Sequence, residues 1–530
     1  MKNIESKNFK TNLNLFLYFY SIITILCYNL FFWEQILLAS NFTIAINIFL
    51  IILFAFIAFL SLVCVRYTTK AILITITTIN SFCIYFINNY HIAIDQDMII
   101  NALKTDISEF SELFNWKIVL FVILFGILPS LAIAKIEIVY RKFWNEVKIR
   151  IISCSILALI AIIVSASQYK KLSISMRENK SNFGYLVPRN YLNSILKIYK
   201  STIKENKEVT SIGDDLVIKN NKPRLVVLVV GETARRKNFS LYGYSRQTNP
   251  LLQKRELLII NNATSCGTST QISVPCMLSH LSRNEYINKK ENYQFLPKIL
   301  EKNGIKVLYK DNNFGGCYKT CEGVETIATQ QESDKKLCND NGCYDGLLLK
   351  NLQQYIKKNQ SDNIFIVLHQ NGSHGPRYNK RYPNEFEKFK PICQNSDISS
   401  CAESELINAY DNTILYTDYF LDKLIDLVEK SGMISTVIYA SDHGESLGEN
   451  GVFLHGFPYN FAPNVQKEIP FIIWTSKEFD EVKNIDRKRI SERKESSHDN
   501  IFHTVLGAFS AETELYDEEL DVFANDGNKK

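Results

Sequence analysis

Charge is missing from long stretches of the first 170 residues. Residues 42–65 (FTIAINIFLIILFAFIAFLSLVCV) hold no acidic or basic side chain over 24 positions and stop at Arg66. Four more runs, 11–33, 71–94, 118–134 and 151–169, are charge-free as well. About 20 apolar residues cross a hydrocarbon core of ~30 Å. Five such runs in so short a span exclude the buried helices of one soluble core. The first run also lacks a small-residue cleavage site, which argues against a removed signal peptide. Five transmembrane helices are expected, the fourth carrying Pro129, which a membrane helix tolerates with a kink.

Lysine and arginine are scarce in two connecting segments. Residues 34–41 and 95–117 carry only Lys104 and Lys117. The other face holds Lys2, Lys7, Lys10, Arg66, Lys70, Lys135, Arg141, Lys142, Lys148 and Arg150. Positive charge stays inside, so the N-terminus is expected in the cytoplasm. An odd number of spans then places everything after residue 170 outside.

Past that point no cysteine lacks a near neighbour. The pairs are Cys266/Cys276, Cys317/Cys321, Cys338/Cys343 and Cys393/Cys401. Even numbers at short spacing fit disulfides in an oxidising compartment. CYKTC and CNDNGC are poor matches to paired zinc knuckles. Cys27, Cys64, Cys83 and Cys154 lie in membrane runs and read as small apolar fillers. A net charge of +5 is small for 530 residues and gives no case for a nucleic-acid partner. There are no internal repeats.

What is present organises the chain into a transmembrane domain over 1–170, with an amphipathic outer segment at 95–117. A polar connector at the membrane surface spans 171–222, and a soluble catalytic domain spans 223–530. That last part repeats a short apolar strand, a polar turn and a helical pattern. Strands are expected at 224–230, 257–263, 306–310, 363–369, 435–441 and 470–476. Continuous apolar strands alternating with helices predict an α/β domain, with a mainly parallel sheet covered on both faces. Ligands of such sheets sit beyond the carboxyl ends of the strands.

Those ends are rich in metal-ligand types. The first strand runs into GETAR, with Glu232, and the fourth into HQNGSHGP, with His369 and His374. The fifth runs into SDHGESLGENGVFLHG, with Asp442, His443, Glu445, Glu449 and His455. Carboxylates with imidazoles suit zinc. Taken singly, a Glu after a strand is an ordinary helix-start charge, and His369 is as easily a satisfied core histidine. The number of such groups at one edge carries the case for a site. The second strand leads to CGTSTQISVPC at 266–276. A hydroxyl there is a weak nucleophile unless a bound cation lowers its pKa. Ser269 or Thr270, just before a helix expected near Gln271, is the fitting position, because helix N-termini favour phosphate-like groups.

The strings VVGETAR, SCGTSTQISVPC, DNN, HGP, INAYDN and SDHGESLGENGVFLHG resemble the phosphoethanolamine transferases, which include lipid A phosphoethanolamine transferases and mobile colistin-resistance enzymes. The resemblance covers nearly the whole chain and implies an alkaline phosphatase and sulfatase fold. It chooses Thr270 as the nucleophile and gives Glu232, Thr270, Asp442 and His443 as ligands of one zinc, with a second zinc in some members. It gives His374 and His455 contacts to the phosphoryl group. It matches His369 and Asn313 to the substrate pocket. Lys319 is a weaker match, since FGGCYKTC has a different spacing. Asn101, Thr105 and Glu109, spaced i, i+4, i+8 and so on one face if helical, match a lipid head-group site.

The activity implied is transfer of phosphoethanolamine from phosphatidylethanolamine to a phosphate or hydroxyl of lipid A or lipopolysaccharide, through a phospho-threonine. The setting implied is a multi-pass, monomeric protein of the bacterial inner membrane with its catalytic domain in the periplasm. Alternatives are a core-sugar or other glycan acceptor, or a phosphoglycerol transferase or phosphodiesterase of the same superfamily. The sulfatase pattern C/S-x-P-x-R is absent from the opening loop. A decayed binding domain would have lost ligands that are all here.

Overall fold

As far as the described residues reach, the apolar runs of the first part fall mainly on helices. The computed structural model describes residues 10–104, 115–167, 181–205, 208–313, 317–329, 334, 336–339, 342–395, 397–493 and 495–524. The chain divides into two units, Met1–Ile99 with Phe114–Tyr199, and Ile100–Leu113 with Lys200–Lys530.

In the first unit the run at 11–33 is not one straight helix. It forms α1 (Leu13–Cys27) and α2 (Leu30–Ala39), bent by 62°. Asn29 sits at the break. Its Nδ2 donates to the Thr24 and Val187 carbonyls, and its Oδ1 accepts the Val187 N–H. A side-chain amide that bonds nearby backbone competes with the helix ladder. Next come α3 (Phe42–Val63), α4 (Thr69–Tyr90), α5 (Gln96–Lys104) and α6 (Trp116–Lys135). Among the described residues α3, α4 and α6 are each long and apolar enough to cross a membrane, which makes three spans, or four if the bent pair α1–α2 is counted as one broken span, against the five expected. The run at 151–169 lies on α7 (Phe143–Ser167) as far as the described residues reach. A last helix, α8, spans Arg189–Glu205.

Pro129 marks α6 as expected. Proline has no N–H to donate and crowds the carbonyl four residues back, here that of Phe125. The ladder loosens to π geometry over Val122–Ile127, and the Phe125 carbonyl accepts the Tyr28 hydroxyl at 2.6 Å.

The second unit is built on a seven-stranded sheet. In chain order its strands are β1 (Arg224–Gly231), β2 (Leu257–Ile260), β3 (Lys306–Asp311), β4 (Glu325–Ala328), β5 (Ile364–His369), β6 (Ile434–Ser441) and β7 (Phe471–Thr475). Their spatial order is β4-β3-β5-β1-β6-β7-β2. β1, β5 and β6 are buried along their whole length, as continuous apolar runs in a covered sheet require. Every neighbouring pair is parallel except those of β7. The reason is the connection. Residues 442–470 hold only short turns and two-residue strands. With no crossover helix to carry the chain back, the next strand runs the other way.

Register sets the site. Val230 pairs with His369, His369 with Asp311, and Gly231 with Ser441. The next residues of β1 and β6, Glu232 and Asp442, therefore leave the sheet side by side at its carboxyl edge. Cys266–Cys276, Cys317–Cys321, Cys338–Cys343 and Cys393–Cys401 are disulfides.

Candidate active site

The loop after β2 delivers Thr270 to that edge as the first residue of α9 (Thr270–Met277), with Ser269 as the capping position. Its other hydroxyls are turned inward. Ser273 Oγ accepts the Gly267 N–H at 3.0 Å, and Thr268 Oγ1 donates to the Phe457 carbonyl at 2.5 Å. Ser269, the other hydroxyl at the helix start, makes no side-chain cap bond. The loop after β5 passes so close to β1 that a Cβ on Gly372 would lie 2.6 Å from the Glu232 carbonyl oxygen. Its φ of +52° is left-handed as well, so glycine alone suits this crossing.

Thr270 Oγ1 lies 3.2 Å from each carboxylate oxygen of Glu232 and 3.4 Å from His443 Nε2. His443 Nε2 is 3.6 Å from Glu232 Oε1 and 3.2 Å from Asp442 Oδ2. Asn313 Nδ2 donates to Glu232 Oε2 at 2.5 Å. Glu232, Asp442 and His443 are fully buried, and their ligand atoms lie within 4.8 Å of one another.

These groups face each other as acceptors. The His443 Nδ1–H donates to the Gly444 carbonyl at 2.9 Å, which leaves a lone pair on Nε2. Asp442 Oδ1 accepts the N–H groups of Thr233 and His443. Asp442 Oδ2 is buried and accepts no hydrogen bond among the described residues. Burial and then the Asp442 charge push the Glu232 carboxyl well above its usual range. Burial raises Asp442 too, and burial followed by His455 lowers His443. Two buried carboxylates, an imidazole lone pair and a hydroxyl converge, with no Lys or Arg ion pair to either carboxylate among the described residues. This donor set fits a divalent cation.

A second rank of groups surrounds the first. His369 Nδ1 lies 2.8 Å from Asp311 Oδ1, and its Nε2 is 4.0 Å from Glu232 Oε2. His455 Nδ1 bonds Glu445 Oε2 at 2.8 Å, and the Tyr378 hydroxyl donates to Glu445 Oε1 at 2.6 Å. The His455 ring is 4.5 Å from that of His443 and 5.5 Å from that of His374. Burial, and next the neighbouring His455, hold the His374 pKa well down. Glu445 and Glu449 therefore serve other partners than the cluster. Glu445 orients His455, and Glu449 pairs with Arg235 at 2.5 Å.

Lys319 is exposed at the left-handed φ of 72°, in the turn closed by Cys317–Cys321. It is not among the groups brought together here. Asn101 lies on α5, and Thr105 and Glu109 lie outside the described residues.

Three further buried residues act at this edge; of these only Asp311, the first residue of DNN, falls in a string singled out in the sequence. Asp311 ends β3 and holds His369. Asp345 accepts the N–H groups of Asn371 and Gly372 at 2.8 and 2.9 Å and an Asn312 N–H at 2.7 Å, fixing the His374 loop. His498 lies between the Thr270 loop and the end of β6. It sits far downstream, in SSHDN, after a strand of only two residues, Ser496–Ser497, too short to read from sequence, and only spatial proximity reveals it.

Residues 52–203 match the family model described as phosphoethanolamine transferase EptA/EptB, and residues 224–511 match the sulfatase model. The chain is 35% identical to the phosphoethanolamine transferase EptA of Salmonella typhimurium over 95% of both chains. It is 34% identical to the phosphatidylethanolamine transferase Mcr-1 of Escherichia coli over 85% of this chain and 87% of that one. Among solved structures, the integral membrane lipooligosaccharide phosphoethanolamine transferase A of Neisseria meningitidis superposes with a TM-score of 0.93. The identity is 32%, over 97% of this chain and 99% of that one.

Proposed function

The chain belongs to the phosphoethanolamine transferase family, and from that premise we propose that Thr270 carries phosphoethanolamine from phosphatidylethanolamine to a phosphate or hydroxyl of lipid A. The observation that carries this reading is the placement of Thr270 Oγ1, 3.2 Å from both oxygens of a buried Glu232 and 3.4 Å from His443 Nε2.

In the first step a bond forms between Thr270 Oγ1 and phosphorus while the bond to the diacylglycerol oxygen breaks. Glu232 and His443 are within reach of the Thr270 proton. In the second step an acceptor oxygen bonds the phosphorus and Thr270 leaves. His455, fixed through Nδ1 by Glu445, is the imidazole we assign to the proton at the leaving or entering oxygen, and His374 stands beside it. Glu232, Thr270, Asp442 and His443 would hold one zinc, a four-donor set of the kind such sites use. Bound there, zinc lowers the pKa of a hydroxyl and offsets charge on the transferring oxygens.

Both substrates are lipids, which accounts for the membrane unit. The basic loops support an N-terminus in the cytoplasm, and the four disulfides support a periplasmic second unit. Adding an ethanolammonium offsets phosphate charge, so the modified surface binds cationic peptides such as polymyxin less well. The test is mass spectrometry of lipid A and core oligosaccharide from cells with and without this chain. A phosphoethanolamine mass increment on lipid A is expected. An increment on the core alone moves the acceptor to a sugar, and none on either rejects the reading.

A further inference from the structure

The membrane unit carries an apolar groove of about 550 Å³, within the roughly 300–1,000 Å³ of ligand sites. One wall is Ile48, Ile52 and Phe56 of α3; the other is the segment entering α8, with Leu192 and Leu196. The second wall is pinned in place, because Asn29 both donates to and accepts from the Val187 backbone. Among the lining residues only Arg189 and Asn193 have polar side chains.

Arg189 is exposed, at the first turn of α8. Its guanidinium lies 5.0 Å from the Phe183 ring, and its Nη1 donates to the Phe183 carbonyl at 3.5 Å. No ion pair is formed by Arg189 among the described residues. A guanidinium offers five donors in a planar fork that matches phosphate oxygens. Here one of them makes a long bond to a carbonyl. An apolar trough lined by the Arg189 guanidinium combines the two chemistries of a phospholipid, a hydrocarbon chain and an anionic phosphate.

We propose that this groove holds a phospholipid of the surrounding bilayer, with an acyl chain between α3 and α8 and its phosphate on Arg189. The site is made from the membrane unit alone and uses none of the residues around Thr270. Its occupant is bound without being consumed.

The test measures phospholipid retained by the full chain purified in detergent, by native mass spectrometry and lipid extraction. Wild type is expected to retain a phospholipid. Arg189→Ala, which removes the phosphate contact, and Ala55→Trp, which fills the groove, are each expected to lower retention about tenfold, as losing a charge-assisted contact does. Arg189→Lys keeps part of it. Thr270→Ala, inactive in transfer, retains as much as wild type, so failure of the transfer reading and failure of this one are distinguishable. Should Arg189→Ala not fold, retention is read on Arg189→Gln. Equal retention in the Arg189 and Ala55 variants overturns the proposal. So does retention of diacylglycerol as strong as that of phospholipid, or detergent alone in the groove.

Discussion

The Nδ1 atom of His498 accepts the backbone N–H of Cys266 at 3.1 Å. On the opposite side of the same ring, the Nε2–H donates to the Ser441 carbonyl at 2.8 Å. One imidazole thus spans the loop that carries Thr270 and the strand end that carries Asp442 and His443. Only the neutral ring can make both bonds, because protonation removes the acceptor.

His498 therefore gives the fold a pH dependence. Burial holds its pKa down at about 4, against 6.5 for a free histidine, and burial does the same to His503. The unfolded chain takes up these protons near pH 6.5 and the folded chain only near pH 4. Their contribution is complete above 6.5 and is lost as the pH falls toward 4. Thermal melts should show a falling melting temperature across that window, and a shallower fall in His498→Gln. At neutral pH, His498→Ala is expected to cost about 1–3 kcal/mol from the two backbone groups it strands.

Thr270→Ala is expected to abolish phosphoethanolamine transfer, with the circular dichroism spectrum and melting temperature close to wild type. The side chain lost is small and sits at a helix start. Lipid mass spectrometry and a melt on the same preparation check the two halves of this prediction. Residual transfer at the wild-type rate contradicts the role of Thr270.

Metal analysis of wild type should find one zinc, or two if a second site fills. Asp442→Asn and Glu232→Gln should bind little. Each also removes one of two buried like charges that face each other without a cation. After chelation, the variants should be at least as stable as chelated wild type, while losing the stabilisation that added zinc gives wild type. Melts with and without chelator separate these effects.

Thiol labelling of the denatured, unreduced protein should leave all eight cysteines of the second unit unmodified and reach only Cys27, Cys64, Cys83 and Cys154. Replacing both Cys266 and Cys276 by serine should cost about 2–3 kcal/mol in the chain-entropy picture of a ten-residue loop. Denaturant titration measures it.

Much of this architecture is legible in the sequence, and the reasons differ by residue. β1, β5 and β6 are unbroken apolar runs, and their ends could be read directly for Glu232, His369, Asp442 and His443. β4, with the sequence ETIA, is a partly exposed edge strand and too short and polar to stand out. β7 has the right composition, but its direction depends on the connection before it. The break at Asn29 is invisible because the run around it is as apolar as any membrane span, and the cause is a hydrogen-bond partner 158 residues away. Choosing Thr270 over Ser269 needed the family resemblance, because both hydroxyls stand at the same helix start. Distance alone then separates them, with Thr270 placed on Glu232.

The Cys266–Cys276 disulfide has a bearing on where the protein can work. Thiols in the cytosol are kept reduced. A copy inserted upside down would retain two thiols at the base of the Thr270 loop and an open loop between them. Closure of the loop that carries Thr270 would thus wait on delivery to the side of the membrane where the disulfide can form. The bond that closes this loop would then also report sidedness, because a misoriented copy would lack it.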